Sequence, residues 1–199
     1  MSKRKVNFIG DSHSVLTFGQ TLIDKLAHDV DLHLIGFSGM RLMYLTHWLD
    51  QKEDLKILNC EFKFRDTPGF SKDPVDIGIG FKMNDADALV IALGTNDIVK
   101  CIESKQSFEK LLGPAIEAEL KKIAVETVVF IEPPLLGIDK DKKIRTQLLE
   151  QIKRHGFQII PCGKFKADQP DGIHMRKEMA QAFGEYVAAE LLKLVLPHH

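Results

Sequence analysis

Four short blocks gather the residue types of nucleophilic catalysis: Gly10-Asp11-Ser12-His13-Ser14, Gly36-Phe37-Ser38-Gly39, Gly94-Thr95-Asn96-Asp97 and Asp171-Gly172-Ile173-His174. A serine hydroxyl is a poor nucleophile at neutral pH unless a base takes its proton. Asp171 and His174 stand three residues apart, so the carboxylate can hold one imidazole nitrogen and fix the tautomer. The other nitrogen is then free to serve a serine such as Ser12. A reacting carbonyl also needs donors aimed at its oxygen. The backbone N–H of Ser12, the N–H of Gly39 and the side-chain amide of Asn96 are the candidates, and glycine at 39 lets the backbone approach a substrate closely.

Each residue also has a plainer reading. Asp11, Ser12 or Ser14 could simply cap a helix that follows. Asn96 stands in a Thr-Asn-Asp run that favours turns in any case. Asp11 reads as a hydrogen-bond acceptor within its turn, and Asp97 as the same in its own loop. His13 either lines a pocket or points to solvent. Arg41 could meet an anionic or sugar substrate, although an ordinary surface pair is the simpler expectation. Glu132, before Pro133-Pro134, is a candidate for the wall of a cleft.

Elements must bring these blocks together. Apolar runs bounded by Gly, Pro or Asp occur at 5–10, 30–36, 87–94, 126–132 and 156–161. Helical periodicity lies between them. Val15, Phe18, Leu22 and Leu26 share one face of a helix over 14–28, and Ile144, Leu148 and Ile152 share one face of a helix that stops at Gly156. A long helix over 176–195 closes the pattern. Strands alternating with helices predict one domain, 1–199, with a parallel sheet covered on both faces. Residues 52–81 break the rhythm: period-2 alternation from Leu55 to Phe64 precedes Pro, Gly and Asp, as in an inserted extended segment and loop. The stretches 37–50, 65–86, 98–106 and 133–141 read as the loops that shape a pocket. In an open parallel sheet, ligands gather outside the carboxyl ends of the strands where strand order reverses. All four blocks follow strands or lead into the last helix, and in the order 2-1-3-4-5 Ser12 and Asn96 face each other across that crevice.

Composition narrows the field. The 199 residues are 44% hydrophobic and 28% charged, with a formal charge of −1, the balance of a soluble globular protein with its own core. No basic excess points to nucleic acid or an anionic membrane surface. The basic start Met1–Lys5 has no long apolar run after it, so neither a signal peptide nor a membrane span is expected. The cytoplasm is the default location, which a trimmed exported protein would match equally. Three cysteines (Cys60, Cys101 and Cys162) without CxxC spacing read as thiols of a reducing compartment, and no metal site is expected. The final His198 and His199 could be a purification-tag remnant and are assigned no role. No GxGxxG or P-loop supports a nucleotide site, and nothing in the pattern signals an oligomeric state.

Taken together and in order, the four blocks resemble the SGNH (GDSL-type) hydrolases over residues 5 to about 195. Ser12 falls in the nucleophile place, Gly39 in the glycine place, Asn96 in the asparagine place, and Asp171 and His174 in the acid–base places. The resemblance implies a three-layer, flavodoxin-like α/β/α sandwich with a five-stranded parallel sheet. It also implies ester or thioester hydrolysis through an acyl-serine, without metal or cofactor, with Ser12, Gly39 and Asn96 as the oxyanion hole. His13 stands where many members carry leucine, a variant that looks more like the branches acting on acylated carbohydrates. The insertion at 52–81 has no counterpart in the smallest members. The expected activity is hydrolysis of a short acyl ester, such as an acetyl ester, on a small molecule or a glycan. An acyltransferase on the same site and a catalytically silent carbohydrate- or ligand-binding protein are the rival readings.

Overall fold

The computed structural model describes residues 3–46, 62–65, 82–137 and 141–196. Five strands run parallel: β1 (Arg4–Gly10), β2 (Val30–Phe37), β4 (Ala88–Ala92), β5 (Thr127–Ile131) and β6 (Gln158–Ile160). They lie in the order β2-β1-β4-β5-β6, the order 2-1-3-4-5 expected from the sequence. A sixth strand, β3 (Phe62–Arg65), extends the β2 edge and runs antiparallel to it, with Phe37 opposite Phe62 and Leu34 opposite Arg65. It comes from the tail of the alternating stretch, so the inserted segment adds an edge strand; the rest of 52–81, up to Phe81, lies outside the described residues.

Both faces of the sheet are covered, which is why its strands read as nearly unbroken apolar runs. Successive side chains alternate faces. Ile9, Ile35, Leu89, Ile91 and Phe130 point to one side, where they pack with Ile98, Ile116, Leu148 and Ile152. Those four residues belong to α3 (Thr95–Ser104), α5 (Gly113–Leu120) and α6 (Asp141–Arg154), and a short helix α4 (Phe108–Leu111) joins the same layer. Val6, Phe8, Leu32, Leu34, Val90 and Val129 point to the other side. There α2 (Thr17–Leu26) and α7 (Lys177–Val195) cover them, with the rings of Phe18 and Phe183 stacked at 4.5 Å.

Two local expectations need correction. The helix anticipated over 14–28 is two helices, α1 (Ser12–Val15) and α2, separated by Leu16 in extended backbone (φ −106°, ψ −154°). The stretch 98–106 is not a loop: it is helical as far as Ser104, because Ile98 and Cys101 share a buried face.

Candidate active site

The turn after β1 is built around small residues. A Cβ on Gly10 would overlap the Ser14 hydroxyl, and one on Gly19 would overlap the Ser14 carbonyl oxygen. Gly36, paired with Gly10 in the sheet, leaves only 3.1 Å for a Cβ beside the same carbonyl group. These glycines let α1 sit directly on the ends of β1 and β2. The Asp11 N–H donates to the Ala92 carbonyl of β4 (3.3 Å), and the Asp11 carboxylate caps α1 by accepting the His13 N–H (3.0 Å). Of the three capping candidates, Asp11 is the cap, which leaves the Ser12 hydroxyl at the helix start free for another partner.

That partner arrives from the opposite end of the chain. Ser12 Oγ lies 2.9 Å from His174 Nε2, and His174 Nδ1 lies 2.6 Å from Asp171 Oδ2. The carboxylate fixes the proton on Nδ1, so Nε2 accepts from the Ser12 hydroxyl. Asp171 Oδ1 accepts the N–H groups of Ile173 (2.8 Å) and His174 (2.9 Å). The turn is held further by Asp168 and Gln169, whose N–H groups both donate to the His174 carbonyl at 3.1 Å. The hydrogen bonds from the His174 N–H and ring hold the Asp171 carboxyl at about 2, well below its ordinary range. The side chains of His174 and Asp171 keep 28% and 44% of their exposure, so the chain of hydrogen bonds opens to solvent.

The donors on the other side of Ser12 come from β2 and β4. Phe37 to Met40 form a turn closed by the Met40 N–H to the Phe37 carbonyl (3.2 Å), with Gly39 at φ +79°. This positive φ at the third position is a glycine conformation. Gly94 (φ +115°) starts α3, whose first turn carries Asn96. The Asn96 amide donates to the Met40 carbonyl (3.0 Å), which uses one of its two N–H bonds and leaves the second. The N–H groups of Ser12 and Gly39 meet no acceptor among the described residues. Asp97 is wholly buried and accepts from the N–H groups of Leu42 (2.7 Å) and Met43 (3.1 Å), across the loop that follows Gly39. It therefore braces a different loop from its own, correcting the sequence expectation.

The remaining candidates fall differently. Glu132 borders a small pocket with Asp11, His13 and Thr95, but both its oxygens are engaged: Arg145 Nε at 3.1 Å, the Cys162 N–H at 2.6 Å and the Gly163 N–H at 3.1 Å. It ties the end of β5 to the segment after β6. His13 does not face solvent: it is buried along that same small pocket, with both ring nitrogens in contact. Arg41 makes no surface ion pair among the described residues, and its Nε is buried without an acceptor. Among the described residues no three His, Cys, Asp or Glu side chains cluster as a metal site, and no helix is long and apolar enough to cross a membrane. No local pattern signals the long reach of Asp97 or of His13 Nε2, whose partners Leu42 and Ile173 lie 55 and 160 residues away.

No protein-family model and no curated protein matches the chain. Solved structures do. A lipase/acylhydrolase from Enterococcus faecalis superposes with a TM-score of 0.64 at 16% identity, covering 98% of this chain and 99% of that one. A carbohydrate acetylesterase from Sinorhizobium meliloti reaches 0.61 at 16% identity, covering 96% and 100%. The aryl esterase of M. smegmatis reaches 0.57 at 13% identity, covering 96% and 99%. With the sheet order and layers described above, this likeness establishes that the chain has the fold of the SGNH (GDSL-type) hydrolases.

Proposed function

We propose that the chain is a serine esterase that cleaves a short acyl ester through an acyl-serine. The observation that carries this reading is the run Ser12 Oγ–His174 Nε2–Asp171 at 2.9 and 2.6 Å, open to solvent at the carboxyl ends of the strands. Its support is chemical: an activated hydroxyl, a base with a fixed tautomer and unpartnered N–H groups are the parts that acyl transfer needs.

The steps follow from that geometry. Ser12 Oγ attacks the ester carbonyl as its proton passes to His174 Nε2, and Asp171 steadies the imidazolium that forms. The N–H groups of Ser12 and Gly39 and the free amide N–H of Asn96 receive the negative charge on the carbonyl oxygen. His174 then gives its proton to the departing alcohol oxygen. Water, deprotonated by the same nitrogen, releases the acid and restores Ser12. A sugar-borne acetyl group is the substrate we favour, in keeping with the likeness to an acetylesterase that acts on carbohydrate.

The test is hydrolysis of p-nitrophenyl esters from acetate to decanoate by the wild type and Ser12→Ala in parallel. Turnover of the short esters that disappears in the variant is the expected result. Equal turnover by Ser12→Ala, or none by either protein on any ester, overturns the reading.

A further inference from the structure

The residue after the nucleophile is itself a histidine, and its surroundings decide its protonation. His13 Nδ1 lies 3.0 Å from Asp11 Oδ1, and Nε2 lies 3.1 Å from the Ile173 carbonyl oxygen. A carbonyl oxygen only accepts. Asp11 Oδ1 already accepts the His13 backbone N–H at 3.0 Å, so it acts as an acceptor too. A neutral imidazole has one N–H and one lone pair, and in either tautomer it would set a lone pair against an oxygen. Only the doubly protonated ring satisfies both contacts, and burial makes an unmatched contact costly.

These two contacts span the site. Asp11 immediately precedes Ser12, and Ile173 immediately precedes His174. We propose that His13 is a positioning residue: a buried imidazolium that clamps the turn of the nucleophile to the turn of the base and so fixes the Ser12–His174 spacing. The proposal rests on the ester chemistry assigned to Ser12 above. Leucine at this position could fill the space but would hold neither partner.

The other charged groups around the ring are consistent with a cation. The His174 ring lies 5.4 Å away between centroids, with Asp171 behind it. Glu132 and Thr95 border the same small pocket, with Phe18 and Phe183 from α2 and α7, and Glu132 is neutralised by Arg145. Burial works against the charge, but Asp11 and the Ile173 carbonyl outweigh it, and the His13 pKa is raised above its ordinary 6.5. The clamp is therefore intact below 6.5, where the unfolded chain would also be protonated, and opens only as pH climbs through the higher folded value.

Two measurements test it. Nitrogen-15 spectra of the wild-type imidazoles at neutral pH are expected to give His13 two protonated nitrogens, and a neutral His13 overturns the proposal. Covalent labelling of Ser12 by a fluorophosphonate, with p-nitrophenyl acetate kinetics, then compares wild type with His13→Gln and His13→Leu. Labelling rate and kcat are expected to fall about 10²-fold, as for a misplaced catalytic group, with KM unchanged. The alkaline decline that follows His13 deprotonation in the wild type is expected to be missing from both variants. Folded variants with wild-type rates and pH profile overturn the clamp. A wild-type protein that takes no label overturns the Ser12 reading instead, and the ring signals still decide the state of His13.

Discussion

The Asp97 carboxylate reaches 2.7 Å to the backbone N–H of Leu42, fifty-five residues back along the chain, and it does so wholly buried. With the Met43 N–H at 3.1 Å and the Asn96–Met40 bond at 3.0 Å, it fastens the first turn of α3 to the loop that carries Gly39. The two groups proposed to meet the oxyanion from β2 and β4 are thus parts of one braced unit. Removing the brace has consequences for stability and for rate together.

Asp97→Ala strands two N–H groups, at roughly 1–3 kcal/mol for each one left buried and unsatisfied. Denaturant unfolding is expected to register that loss, and ester hydrolysis is expected to fall as Gly39 loses its anchor. A pH signature accompanies it. Burial outweighs the Leu42 and Met43 hydrogen bonds and nearby Arg41, and raises the Asp97 pKa from 3.8 to about 6. Between those values the native state holds a proton that the unfolded chain has released, so stability falls as pH rises through the window. Asp97→Asn cannot ionise, and its unfolding midpoint is expected to decline less from pH 4 to pH 6. An identical decline in both proteins would count against a buried, proton-holding Asp97.

Strand positions were legible because a parallel sheet buried on both sides demands apolar runs, and runs such as Asp87–Gly94 stand out. The helix ending at Arg154 was legible for the same reason, since Leu148 and Ile152 recur at helical spacing. The split at Leu16 was hidden: Val15, Phe18, Leu22 and Leu26 keep the period of one helix across it. What produces the break is the tight seat of Ser14 on Gly10, Gly19 and Gly36, a three-dimensional constraint with no local pattern. The closeness of Ser12, Asp171 and His174 could be expected from residue types and strand ends. The second protonation site on His13 could not, because it depends on which oxygen of Asp11 and which carbonyl of the far loop come within reach.

If Ser12, His174 and Asp171 act as a unit, their losses do not add. Ser12→Ala and His174→Ala are expected to lower kcat on p-nitrophenyl acetate by similar large factors, and the double variant to be hardly worse than either. Asp171→Asn keeps the shape but allows the wrong imidazole tautomer to be held, and is expected to cost about 10²–10⁴ in kcat with little change in KM. Its acid behaviour is distinguishable. The wild-type carboxyl titrates at about 2 in the folded protein, so its stabilising contribution is full above 3.8 and is lost as pH falls towards 2. That acid-side loss is expected to be absent from Asp171→Asn. Multiplying defects in the double variant would point instead to separate, unconnected roles.

Gly19 offers a test of how the nucleophile turn is seated. On propensity alone, alanine at a helix position such as Gly19 of α2 should stabilise by about 1 kcal/mol. The local packing opposes this, because the added Cβ would overlap the Ser14 carbonyl oxygen, a backbone atom that no rotamer change can move aside. Overpacking of this kind costs typically 1–3 kcal/mol or more, so the net effect of Gly19→Ala is expected to be destabilising. The relief available to the chain is to push α1 away from α2, and Ser12 moves with it. The variant is therefore expected to show both a lower unfolding midpoint and a kcat reduced by about 10² through misplacement of the Ser12 hydroxyl from His174. Unfolding curves and p-nitrophenyl acetate kinetics on the same preparation separate the outcomes. A variant more stable than wild type with full activity would mean that α1 is not pinned against α2 at Ser14.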